Sequence, residues 1–402
     1  MKPSILFIVP AEYEALKEKG VDSMILERDE DGFFGKVITL HPCCSKTRSI
    51  SLNECHEIYE VGFDLIPGSK HWRLLMYAQY PAQFFRVIWN AVKLVKKYRI
   101  NLIRANDPFW MGLFGYLTSR ICRIPFCVSI HADYEKRMAL DKSISILKVF
   151  GSYKLAKRLA RFILSKADRV MPIRETLGVQ AVANGADTEK IRVLPHGIDF
   201  SPFRFFPAYN IFDRFGVDPR RKIISFVGRL TSENYVNDIL DIARKLEEKR
   251  KDFTIVMVGG GKEESRIKHE VFSDAILKRH VFLLGFQPKD ICFDLRRASD
   301  VSLCLMAGFS LIEACAAERP VVSYDVEWHY ELVKNNQTGF LIPEHDVNGA
   351  VEALGWLLDH PEESEEMGKK AKALAFEHHD LKNTSAIKVR AYSELLEKEK
   401  VH

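Results

Sequence analysis

The chain has 402 residues, 47% hydrophobic and 28% charged, with a formal net charge of +5 at pH 7. That length suits two domains of ordinary size, each with its own core, and the composition excludes a disordered, fibrous or low-complexity protein. No run reaches the roughly eighteen apolar residues of a membrane-crossing helix, and eight scattered cysteines without a C-x2-C pair argue against a disulfide framework or a structural zinc site.

The opening MKPSILFIVP meets Glu12 and Glu14 before it can serve as a leader, so a cytoplasmic protein is expected. In chain order, apolar runs of strand length recur between longer helical stretches. They are ILFIV (5 to 9), KVITL (36 to 40), NLIRA (101 to 105), FCVSI (126 to 130) and RVMPI (169 to 173) in the first half. The second half continues with IISFV (223 to 227), TIVMV (254 to 258), VFLLG (281 to 285), VSLCL (301 to 305) and PVVSY (320 to 324). This alternation predicts an α/β protein with two parallel, helix-covered sheets. The stretch 199 to 221 has no clear period and carries Pro202, Pro207 and Pro219, which makes it the expected domain junction.

The positive charge is unevenly placed. Between Lys136 and Arg169 stand ten basic residues and two acids, Asp141 and Asp168. Upstream, QFFRVIWNAVKLVKKYRI (83 to 100) sets aromatic and aliphatic residues at helical spacing among Arg86, Lys93, Lys96, Lys97 and Arg99. Such a helix suits an anionic bilayer surface, or it packs on a sheet with a solvated polar face. No nucleic-acid-binding motif is present, and no nucleic acid partner is expected.

The segment GFSLIEACAAERPVV (308 to 322) holds a lone glutamate at the start of a helical pattern. VSLCL ends, Gly308 permits a turn, and a helix starts near Phe309 to Leu311 with its first N–H groups unpartnered, a terminus that welcomes phosphate. One turn in, Glu313 offers two acceptor oxygens, a fork for the vicinal hydroxyls of a ribose; the plain alternative is a capping glutamate. Gly228 and Arg229 end the first strand of the second half, where a guanidinium can take a pyrophosphate.

From residue 100 to 380 the segments NLIRANDPFWMGL, PFCVSIHADY, ADRVMPIRETL, KIRVLPHGID, ISFVGRLTSEN, VMVGGGKEES, LGFQPKDI, ASDVSLC to RPVVSYD, and ELVKNNQTGFLIP follow one family's order and spacing. The chain resembles the retaining, nucleotide-sugar-dependent glycosyltransferases of family four. The resemblance implies two facing Rossmann-like domains with a cleft between them, the GT-B type: 1–200 on the acceptor side, 201–380 for the nucleotide sugar, and a helix over 381–402 returning to the first domain. It also implies that Arg229 holds the donor diphosphate, that Gly308 and the N–H groups of Phe309, Ser310 and Leu311 cap it, and that Glu313 binds the ribose. His131 would stand beside the donor sugar, or else be a satisfied histidine at a strand end. Phe286 and Gln287 would line the base pocket, Gly228 and Asn234 belong to the donor loop, and Asp107 and Asp133 are acceptor-side candidates.

Three positions depart from the family pattern. Leu305 stands eight before Glu313, where the family has a second glutamate touching the transferred sugar, and the loop before the helix is about four residues short. Asn234 replaces a lysine five residues after the arginine, which removes a cation from the leaving group. PAEYEALKEKG replaces the paired glycines after the first strand. Asp29-Glu30-Asp31 reads as a hairpin or exposed loop rather than a metal-binding D-x-D motif, so no metal and no cofactor are expected. The implied activity is sugar transfer from a nucleotide diphosphate to a hydroxyl of a saccharide or lipid-linked saccharide, at the inner membrane face, in polysaccharide or glycolipid assembly. Two rivals stay open: a non-catalytic relative that binds nucleotide or saccharide, and a nucleotide-sugar epimerase of the same architecture.

Overall fold

The computed structural model describes residues 2–18, 23–62, 73–134, 152–201 and 211–398. Their strands form two sheets in two compact units, Met1–His196 with Thr384–His402, and Gly197–Asn383. The first division falls between His196 and Gly197, slightly ahead of the proline-containing stretch, of which 202–210 lie outside the described residues. Lys136, Arg137, Lys142 and Lys148 of the basic run lie outside them as well.

The first sheet contains β1 (Ser4–Ile8), β2 (Lys36–Cys44), β3 (Arg48–Ser51), β4 (His56–Gly62), β5 (Leu102–Ala105), β6 (Phe126–Ile130) and β7 (Arg169–Pro172), ordered β3-β4-β2-β1-β5-β6-β7. All its pairs are parallel except β3 with β4. The sequence reading did not include this antiparallel edge. RSIS alternates partly buried with exposed positions and HEIYEVG begins by alternating buried with partly buried ones, so a half-solvated margin shows no continuous apolar run.

One face of this sheet packs against the helices Arg73–Tyr98, Trp110–Cys122 and Tyr153–Lys166 through Ile8, Ile103, Val128, Val92, Phe114 and Ile163. Val87, Ile88, Ala91, Val92 and Val95 are buried, so the 83–100 segment is a helix packed on the sheet. Phe85 and Trp89 nevertheless remain 68% and 62% exposed. The opposite face is covered by the C-terminal helix Leu381–Lys398, through Ala391, Tyr392 and Leu395.

Asp29-Glu30-Asp31 is not a hairpin, and although Asp31 is exposed in a turn, Glu30 is buried. A 3-10 turn, Glu27–Asp29, leads into left-handed Glu30 and Asp31, with φ of 51° and 57°. Glu30 is 3% exposed and ion-pairs with Lys388 at 3.2 Å, so its carboxylate points into the protein.

The second sheet contains β8 (Lys222–Val227), β9 (Phe253–Val258), β10 (Val281–Gly285), β11 (Val301–Leu303), β12 (Val321–Tyr324) and β13 (Gly339–Ile342), ordered β10-β9-β8-β11-β12-β13 and parallel throughout. The edge strand β13 is an addition to the sequence reading, and its docking depends on a glycine. A Cβ on Gly339 would lie 2.0 Å from the Val321 carbonyl oxygen.

Candidate functional site

The second unit gathers most of the expected donor residues at the carboxyl ends of β8 and β11, where open parallel sheets bind ligands. After β8, Gly228 and Gly259 bring two loops into backbone contact: a Cβ on Gly259 would sit 1.9 Å from the Gly228 carbonyl oxygen. That contact fixes the departure of Arg229, whose side chain is 73% exposed and faces Glu233 at 3.7 Å. An exposed pair at that distance binds weakly and leaves the guanidinium available to an anion.

Asn234 is not a ligand-facing group. It is 8% exposed and donates Nδ2–H to the Arg229 carbonyl oxygen at 2.8 Å. The position that carries a lysine in the family here closes a turn beneath the arginine, because a short amide folds back where a long ammonium reaches outward.

The helix after β11 runs Phe309–Ala316, with Gly308 as its N-cap. A Cβ on Gly308 would meet no atom within 4 Å, so the space before the helix is open. Leu311 is a partial correction, since its N–H already bonds to the Gly308 carbonyl at 3.2 Å. Ser310 keeps an N–H with no protein acceptor among the described residues, while its hydroxyl bonds to the Val227 carbonyl and ties the helix to the end of β8.

Glu313 is half-buried. Its Oε2 accepts from Arg296 Nη1 at 2.7 Å, and Arg296 Nη2 donates to Ser310 Oγ, also at 2.7 Å. Arg296 is 1% exposed, and the sequence reading missed it. Its only signal was a cation in the last turn of the Lys289–Ala298 helix, where cations are commonplace. The two-oxygen fork expected of Glu313 is therefore one oxygen held by Arg296 and one left over.

Leu305 has no exposed surface and lies in the core of this unit. The short loop around it is pinned by buried His329, which meets Ser323 Oγ at 2.6 Å through Nδ1 and the Ala307 backbone at 3.0 and 3.2 Å through Nε2. At the end of β10, Phe286 is 85% exposed, a flat surface suited to stacking a base. Gln287 is less available, because its amide donates to the Leu284 carbonyl at 2.8 Å.

In the first unit, His131, Asp133 and Asp107 follow β6 and β5. The His131 ring stacks on His196 with centroids 5.7 Å apart, and its Nε2 is buried without a partner. Burial, His196, Arg104, Arg28 and Arg174 all disfavour its charged form and hold it well below the usual histidine range. Asp107 accepts the Phe109 N–H at 2.8 Å, and burial pushes its carboxyl up to about 6. Asp133 is half-buried.

The family described as glycosyl transferases group 1 matches residues 209–374, and glycosyltransferase family 4 matches 14–201. The chain belongs to the family-four glycosyltransferases. This glycosyltransferase is 26% identical over 282 residues to the 2-deoxystreptamine glucosyltransferase of Streptomyces kanamyceticus, a match covering 68% of this chain and 72% of the relative. It is also 26% identical to an Escherichia coli UDP-Gal:alpha-D-GlcNAc-diphosphoundecaprenol alpha-1,3-galactosyltransferase, over 65% of this chain and 67% of that protein. Other relatives, 33% identical, are matched over only 41% of their own length. Among solved structures, the sucrose-phosphate synthase of Thermosynechococcus elongatus superposes with a TM-score of 0.74 at 16% identity, covering 98% of the glycosyltransferase and 100% of that chain. The fold is the GT-B type, two Rossmann-like domains. Among the described residues of the glycosyltransferase, no helix is long and apolar enough to cross a membrane.

Proposed function

We propose that this glycosyltransferase moves a sugar from a nucleotide diphosphate donor to a hydroxyl, with retention at the anomeric carbon. The observation that carries the reading is the meeting of exposed Arg229, the open space at Gly308 with the unbonded Ser310 N–H, and an Arg296-anchored Glu313 at one sheet edge. A guanidinium and oriented amides are donors for a diphosphate, and the free oxygen of Glu313 is an acceptor for a ribose hydroxyl. In the transfer, the bond between the anomeric carbon and the diphosphate oxygen breaks, and the diphosphate leaves with the electron pair. The acceptor oxygen bonds to that carbon from the same face, and its proton passes to a donor phosphate oxygen. Arg229 and the helix terminus meet the charge that develops on the leaving group. We read this as transfer that needs no resident metal.

The acceptor reading is a lipid-linked saccharide used in polysaccharide or glycolipid assembly at the inner membrane face. It draws support from the diphosphoundecaprenol-linked substrate in the name of one relative, and from the helical face of the first unit. There the helices Arg73–Tyr98, Trp110–Cys122 and Tyr153–Lys166 lie side by side. Phe85, Trp89, Ile121, Leu155 and Phe162 are exposed on them, among Lys93, Lys154, Arg158 and Arg161. Lys93 Nζ sits 5.4 Å from the centre of the Trp89 ring. Aromatic side chains interleaved with cations are the chemistry of an anionic bilayer surface.

A thermal-shift panel of nucleotide sugars tests the donor reading. One donor should raise the melting temperature. Arg229→Ala should weaken it about 10- to 100-fold, as for the loss of a charge-assisted pair. A panel without any shift would leave the proposal unsupported and favour a non-catalytic role.

A further inference from the structure

The connection from β11 to the helix Phe309–Ala316 runs from Cys304 to Gly308. Its near end is fixed by the sheet: the Cys304 N–H donates to the Val322 carbonyl at 2.9 Å, and Leu305 is fully buried. Its far end is fixed just beyond Gly308, where the Ser310 hydroxyl bonds to the Val227 carbonyl and accepts from Arg296 Nη2 at 2.7 Å. Between these holds lie half-buried Met306 and Ala307 and exposed Gly308. Glycine has the widest backbone freedom of any residue, so the helix start needs a hold on this side too.

His329 supplies it. β12 ends at Tyr324, and a 3-10 turn over His329–Glu331 follows. The main chain of His329 is engaged in that turn, since its N–H donates to the Val326 carbonyl at 3.1 Å and its carbonyl accepts from the Leu332 and Val333 N–H groups at 3.1 and 2.8 Å. The residue has no exposed surface. Its ring reaches from β12 to the β11 loop. Nδ1 lies 2.6 Å from Ser323 Oγ, which donates to the Cys304 carbonyl at 2.8 Å.

Nε2 lies 3.0 Å from the Ala307 carbonyl oxygen and 3.2 Å from the Ala307 nitrogen. Both tautomers therefore keep this bond: an Nε2 that carries the proton donates to the carbonyl, and a bare Nε2 accepts the N–H. The buried imidazole is tied to the residue immediately before Gly308 in either form.

We infer that His329 is a positioning residue for the donor: through Ala307 it holds Gly308 and the Ser310 N–H in the direction that a diphosphate needs. Arg296 acts on the same helix start through Ser310, so the two residues hold Gly308 from opposite sides in the chain. A cap that is already ordered loses little freedom when the anion arrives, which favours binding. That the anion is the donor's diphosphate rests on the transferase reading.

Three full-length variants separate the bonds of the ring. The amide of His329→Gln reaches about as far as Nε2 and serves Ala307 as donor or acceptor, whereas the shorter amide of His329→Asn reaches Ser323 only. His329→Met fills the space without any hydrogen bond, so it tests the same loss without burying a new polar group. Amide hydrogen exchange over residues 304–312 in ligand-free protein reads the loop, and calorimetry with uridine, guanosine, adenosine and thymidine diphosphates reads the cap. His329→Asn and His329→Met should exchange faster than the parent over this segment by about tenfold. Both should bind the diphosphate that the parent prefers about three- to tenfold more weakly, the factor expected for one neutral hydrogen bond. His329→Gln should stay within about twofold of the parent in both measurements. Unchanged exchange in His329→Asn and His329→Met, faster exchange with unchanged affinity, or an equal loss in all three variants overturns the role. A parent that binds none of the four diphosphates overturns the donor reading, and the role with it; that failure is read on the parent alone and so is distinct from a failure of His329.

Discussion

Arg296 Nη1 donates to Glu313 Oε2 at 2.7 Å, from a side chain that is itself 1% exposed. A buried cation on one helix thus sets the direction of a half-buried carboxylate on the next, and its second N–H group holds Ser310 at the start of that helix. Arg296 is a positioning residue. It touches no space open to a ligand, but both groups that do are bonded to it.

Arg296→Met should therefore cost about 3 kcal/mol of stability, because Glu313 is left without its partner, and should weaken nucleotide binding as well. Arg296→Lys keeps the charge but not the two-pronged geometry. In Arg296→Lys the apparent KM for donor should rise more than kcat falls. Urea titration with donor kinetics separates these effects; a purely structural arginine would lower stability and leave KM alone in the folded fraction.

Leu305, eight residues before Glu313, lies in the core of the second unit. Leu305→Glu should lose about 3 kcal/mol or more through burial of an unpaired charge without faster transfer. Chemical denaturation and turnover measured together decide this. A stable, faster variant would mean that the short loop can open.

Asp107 gives a pH prediction with a definite sign. Its folded pKa of about 6 exceeds the roughly 3.9 of an unfolded aspartate. Between those values the folded state binds more protons, so this group's contribution falls as pH rises, by roughly 2 to 3 kcal/mol in total. His41, held down to about 4 by burial, works the opposite way, since its contribution is lost as pH falls from roughly 6.5 toward 4. The parent curve mixes the two. Asp107→Asn keeps an oxygen for the Phe109 N–H and should be about 2 kcal/mol more stable than the parent at pH 8, converging with it near pH 4. A constant difference across that range would contradict the assignment.

The membrane reading predicts that Phe85→Ser with Trp89→Ser lowers co-sedimentation with phosphatidylglycerol vesicles by about tenfold or more, given the apolar area withdrawn from the bilayer. Charge reversal at Lys154, Arg158 and Arg161 should act similarly and be mimicked by added salt. Unchanged sedimentation in both variants would remove the bilayer as a partner.

Local periodicity in the sequence determined the two-sheet plan, since a buried parallel strand appears as an uninterrupted apolar run and its covering helix as a repeat near 3.6. It also located the backbone of the donor site. Gly228-Arg229 at a strand end and the Phe309 helix start are defined by neighbours a few residues away. Only the tertiary structure decided which side chains remain available. Asn234 folds back onto Arg229, Glu313 gives one oxygen to Arg296 seventeen residues earlier, and Arg104 meets Tyr392 from 288 residues away. Those outcomes depend on which buried polar groups find partners across the packed sheets. Pattern along the chain carries no record of that, because every buried charge must be met by whichever element the topology brings beside it.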